Sequence, residues 1–170
     1  RLEGCGPSLV VVPRSLVFNW RAEVARFAPS LRTLDWSGTE RHDAVLDPAS
    51  VDVVFATYGT LRRDAEHLAR ITFDYVVLDE AQAIKNRGTA TAKACRLLTA
   101  RHRLALSGTP VENRLDELWS LLDFLNPGML GTSARFSASL REASGDSGAE
   151  ATLARALRPV ILRRTKAAVA

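Results

Sequence analysis

Two adjacent carboxylates, Asp79 and Glu80, close the apolar run Asp74-Tyr-Val-Val-Leu-Asp-Glu. A strand ending this way delivers both to its C-terminal end, where α/β sheets put their chemistry. The shorter side chain can hold a magnesium ion while its longer neighbour orients or deprotonates a water, the division of labour that hydrolysing a nucleoside triphosphate requires. An isolated Asp-Glu pair is more often a solvated turn, so its meaning depends on its company. A second strand end supplies that company. The stretch Leu104-Ala-Leu-Ser-Gly-Thr-Pro-Val-Glu-Asn-Arg114 sets Ser107, Gly108 and Thr109 after an apolar run. Small hydroxyls and a glycine backbone suit a loop that approaches a ligand closely and shifts with a neighbouring phosphate or carboxylate.

Elements able to position these groups alternate along the chain. Strand-like runs are Ser8 to Val12, Leu31 to Trp36, Val51 to Ala56, Tyr75 to Leu78 and His102 to Leu106. Leu16, Trp20, Val24 and Phe27 share one helical face, which Pro29 ends and which should cover the sheet. Gly88 to Ala100 reads as a crossover helix. Leu115, Leu118, Trp119, Leu122 and Leu125 form an amphipathic stripe, capped by Asn113 and stopped by Pro127-Gly128. Strands alternating with helices predict an α/β fold, a parallel sheet flanked by helices. After Gly131 the pattern weakens: residues 142–149 read as a polar loop, followed by a short helix and the run Pro159 to Lys166.

Composition narrows the class. At 170 residues, 46% hydrophobic and 25% charged, the chain can build one real core. Apolar runs are short and no signal-like N-terminus is visible, which predicts a cytoplasmic protein without a membrane partner. Cys5 and Cys95 lie far apart and His42, His67 and His102 share no ligand spacing, so neither a disulfide framework nor a zinc site is expected. A net charge of +4 and a pI near 9.6, carried mostly by arginine, favour phosphate-rich partners.

With both strand ends in view, the chain resembles the Swi/Snf-type ATPases of helicase superfamily two, in particular their bacterial members. The resemblance lies in DEAQAIKN, then LALSGTPVENRLDELWSLLDFLNPG, then LRRTK; PSLVVVPRSLVFNWRAEVARFAP is similar to motif Ia and VVFATYGTLRRD to motif Ib. It implies a RecA-like lobe of a P-loop NTPase, part of an ATP-dependent, DNA-stimulated translocase on double-stranded DNA, with ATP and Mg2+ as cofactors. RNA polymerase or other nucleoprotein is a further implied partner. The resemblance assigns Asp79 to magnesium through water, Glu80 to the attacking water, and Gln82 to the γ-phosphate and the other lobe. Ser107, Gly108 and Thr109 would couple nucleotide state to DNA grip. Arg14, Ser15, Thr57, Tyr58, Asn113 and Arg114 would face the DNA backbone. An RNA helicase, a restriction-enzyme motor or a non-catalytic DNA- or protein-binding module are the alternatives.

One part of the pattern is missing. The glycine-rich loop with Lys-Ser/Thr that cradles phosphates is absent, since Lys85, Lys93 and Lys166 each lack a preceding glycine. The expectation is an internal piece of a longer protein, inactive alone: an incomplete lobe over residues 1–131 without its phosphate-loop strand, an extension over 132–158, and the start of a connection to a second lobe over 159–170.

Overall fold

The computed structural model describes residues 6–38, 41, 46–108, 115–132, 136 and 160–162. The chain divides into two compact units, Arg1–Leu130 and Gly131–Ala170. In the second unit, few residues are described; Phe136 N–H donates to the Thr132 carbonyl at 3.0 Å.

The first unit is a five-stranded sheet, its paired strands all parallel, built from β1 (Ser8–Val12), β2 (Thr33–Asp35), β3 (Val53–Thr57), β4 (Thr72–Leu78) and β5 (Thr99–Ala105). Their spatial order is β2-β3-β1-β4-β5. Helices α1 (Val17–Phe27), α2 (Tyr58–Arg63), α3 (Ala65–Leu68), α4 (Ala90–Leu97) and α5 (Leu115–Leu125) complete it. From β1 the chain steps outward through α1 to β2, then from β3 it steps the other way through α2, α3 and α4. Right-handed crossovers in opposite directions put these helices on opposite faces.

Side-chain alternation in β1 serves both faces. Leu9 and Val11 join Val54, Ala56, Val76 and Leu78 in the larger cluster, which reaches Leu61, Leu68, Ile84, Cys95 and Phe124. Val10 and Val12 join Val17, Val53 and Phe55 in the smaller one, against which Leu16, Trp20 and Val24 pack. Every residue of β3 is buried, and all of β1 beyond Ser8, as expected of strands covered on both sides. Gly6 allows β1 to start close to β4: an added Cβ there would lie 2.0 Å from the Thr72 carbonyl oxygen.

Two expectations need correction. Phe27 does not cover the sheet; it is 72% exposed under the Arg26 guanidinium, and Leu31, returned by the turn after Pro29, packs on the smaller cluster. The crossover helix is shorter than Gly88 to Ala100. Thr89 caps it, its hydroxyl accepting from Ala92 N–H, while Thr99 and Ala100 pair with Thr72 and Phe73 as the first residues of β5. Sheet pairing overrode local pattern there. Helices α2 and α3, unforeseen, are too short for a periodic signal; α2 is set by a capping box between Thr57 and Thr60.

Candidate active site

The C-terminal end of β4 places Asp79 and Glu80 beside the ends of β1 and β5. Asp79 N–H donates to Val11 carbonyl at 2.9 Å, and Leu106 N–H donates to Leu78 carbonyl at 2.8 Å. The turn then closes on β5, with Ala81 N–H donating to Leu106 carbonyl at 2.8 Å. Neighbouring strands therefore hold the carboxylate pair from both sides.

Asp79 is fixed at its carboxylate and at its main chain. Its Oδ2 accepts from the indole N–H of Trp20 at 2.7 Å, and its Oδ1 from Glu80 N–H at 2.9 Å. Its backbone carbonyl accepts from the Tyr58 hydroxyl at 2.6 Å. Burial, aided by the nearby Asp79 and Glu80, pushes the Tyr58 pKa far above the usual phenol range, so it stays a donor at all ordinary pH. Each carboxylate oxygen keeps a lone pair for another donor.

Glu80 is the one non-glycine residue with positive φ among the described residues (φ 51°, ψ 51°). That left-handed backbone costs about 1–2 kcal/mol for an L-residue and turns its side chain out of the strand direction. Gln82, in the 3₁₀ turn Ala81–Ile84, donates through Nε2 to Glu80 Oε2 at 2.5 Å and accepts through Oε1 from the Ser107 hydroxyl at 3.0 Å. Glu80, Gln82 and Ser107 thus form one hydrogen-bonded relay joining two strand ends. Helix α5 fastens the turn from behind: the buried Ser120 hydroxyl donates to Ile84 carbonyl at 2.6 Å, and Lys85 pairs with Glu117 at 3.4 Å.

The other predicted residues divide into three groups. Arg14 and Ser15 occupy an exposed 3₁₀ turn after β1. Thr57 and Tyr58 are used internally instead, Thr57 being only 8% exposed and engaged in its capping box. Both hydroxyls are therefore engaged within the chain. Thr109, Asn113 and Arg114 lie outside the described residues. Gly108 is exposed, and a Cβ there would meet nothing within 4 Å, so packing among the described residues does not require glycine.

Sequence reasoning missed the polar tips of Trp20 and Tyr58 and the hydroxyl of Ser120. A tryptophan on a core-facing helical stripe carried the signal, because its N–H needs an acceptor. A cavity of about 630 Å³ was missed too; its lining, which includes Trp36, Arg62, Arg63 and His67, holds no predicted site residue. Asp64 closes one side, accepting from Trp36 Nε1 at 3.0 Å and Arg41 Nε at 2.8 Å.

Residues 3–170 match the SNF2-related domain. The chain belongs to this family. It is 40% identical over 94% of its length to the putative ATP-dependent helicase/translocase YwqA of Bacillus subtilis, and 37% identical over 94% to the uncharacterized ATP-dependent helicase MG018 of Mycoplasma genitalium. It spans 18% and 16% of those relatives' lengths. The SWI2/SNF2 ATPase core of Sulfolobus solfataricus, solved in complex with double-stranded DNA, superposes with a TM-score of 0.85 at 39% identity, covering 96% of this chain and 35% of that one. SNF2 membership and this likeness make the parallel sheet part of the first, RecA-like lobe of such a core.

Proposed function

We propose that this SNF2-related chain is part of the first lobe of an ATP-dependent, DNA-stimulated translocase acting on double-stranded DNA, inactive until the rest of its protein completes the phosphate site. The observation that carries the reading is the relay Glu80–Gln82–Ser107 at the ends of β4 and β5, beside a carboxylate fixed at both oxygens. ATP is the nucleotide.

Asp79 would hold magnesium through water. Among the described residues no group of three ligating side chains exists, and magnesium suits a lone carboxylate when phosphates and waters fill its shell. Bound there, it would neutralise charge developing on the phosphates. Glu80 orients the attacking water, held by Gln82, and Gln82 passes the state of the phosphate site to Ser107. Arg14 and Ser15 meet the DNA backbone; such contacts fix register without reading sequence, as a motor that moves along DNA needs. RNA polymerase or another nucleoprotein is the kind of obstacle such a motor would meet, and the cytoplasm is where it would meet it.

The test is ATP hydrolysis by the full-length parent with duplex DNA, RNA or no nucleic acid. Duplex DNA should stimulate turnover irrespective of its sequence, with binding that weakens steeply as salt rises. Stimulation by RNA alone, or no response to nucleic acid, would overturn the reading.

A further inference from the structure

We propose that Trp20 is a positioning residue for the magnesium carboxylate: its indole N–H sets the orientation of Asp79. This deepens the reading above and rests on Asp79 being the carboxylate that serves magnesium.

The geometry singles out Trp20 twice. Its ring packs on the smaller cluster with Leu16 and Val24, so helix α1 holds it from behind. Its N–H ends 2.7 Å from Asp79 Oδ2, across a separation of 59 residues. The opposite oxygen of Asp79 is held by Glu80 N–H at 2.9 Å. A carboxylate rotates about its last single bond, and two donors on opposite oxygens stop that rotation at one angle. Each oxygen still has lone-pair capacity for a metal-bound water. Such outer partners of metal ligands typically contribute about 10–100-fold to metal affinity.

The 3₁₀ turn Arg14–Leu16 runs directly into α1, so the exposed Arg14 and Ser15 and the part-buried donor of Trp20 belong to one continuous segment. Tyr58 holds the Asp79 carbonyl from the opposite crossover, fixing the main chain while Trp20 fixes the carboxylate.

The experiment uses the full-length parent and a fluorescent ATP analogue, without DNA, and reads the magnesium concentration giving half-maximal nucleotide binding. Trp20→Phe keeps an aromatic ring and removes the N–H. It should raise that midpoint by about tenfold, with magnesium-free binding and thermal midpoint near wild type. If Trp20→Phe fails to fold, 3-benzothienylalanine at position 20, which preserves ring shape and lacks only the N–H, takes its place with the same expectation. Trp36→Phe is the control: it too removes an indole-carboxylate hydrogen bond, to Asp64, and should leave the magnesium midpoint unmoved. A Trp20 variant with an unchanged or lowered midpoint, or an equal shift from Trp36→Phe, would overturn the inference. A wild-type protein whose nucleotide binding ignores magnesium would instead overturn the assignment of Asp79 itself.

Discussion

Glu80 carries a strained backbone, a neighbour that fixes its side chain, and a place beside a second carboxylate. Strain of this kind persists where surrounding structure over-determines it, and here the neighbouring strands supply that restraint. In the full-length parent Glu80→Gln should leave ATP binding in place and cut turnover by at least about a hundredfold, the scale of a lost group that handles the attacking water. Steady-state turnover beside nucleotide binding would check it; hydrolysis within a fewfold of wild type would remove Glu80 from the mechanism. Both carboxylates were legible in the sequence because an apolar strand must end in something, and Asp-Glu at that end is chemically distinctive. The relay was less legible: Gln82 was named, but its two partners depend on how β4 and β5 end side by side.

At the scale of elements, α5 and α4 hold the turn that carries the site. Ser120 is 1% exposed and its hydroxyl bonds the Ile84 carbonyl, so Ser120→Ala would leave a buried carbonyl with one donor fewer. A loss of about 1–3 kcal/mol is expected, measurable by urea denaturation; unchanged stability would mean that α5 holds the turn by apolar contact alone. Helix α4 contributes a titration. Burial pushes the Cys95 thiol up to about 12 from an ordinary value of 9.0, against the opposing pull of Arg96 and Arg103. A raised folded value favours the neutral thiol, so this contribution is fully present below about pH 9 and is lost as pH rises towards about 12. Tyr58 has the same sign, starting from its ordinary value of 10.0. Cys95→Ala should therefore flatten the fall of stability between about pH 9 and 12, read from denaturation midpoints at several pH values.

For the whole molecule, the sheet order decides what remains uncovered. Strand β5 pairs with β4 and, among the described strands, with no other. On it Leu104 is 46% exposed, and on β4 Tyr75 is 44% exposed, its ring stacked on His102 at 4.6 Å. An apolar edge of this sort promotes association between chains. The 170-residue chain should accordingly self-associate with rising concentration, and Leu104→Lys should keep it monomeric over a wider range. Sedimentation velocity would decide; a wild-type chain that stays monomeric would show that this edge is no liability.

What the sequence determined by itself was local in origin. Apolar runs and their ends located the five strands to within a few residues, and amphipathic spacing placed α1 and α5, because burial on one face or two leaves a periodic mark. Residue type marked Asp79, Glu80 and Ser107, and the resemblance to Swi/Snf-type ATPases added Gln82. Tertiary structure decided the rest. Leu31 rather than Phe27 covers the sheet, Thr99 and Ala100 are strand rather than helix, and Thr57 and Tyr58 turn inward. Trp20 reaches Asp79 across 59 residues and Tyr58 across 21. Such contacts depend on which strands become neighbours and which face each crossover takes. Periodicity along a chain records neither, since it reports that a side chain is buried and not what it is buried against.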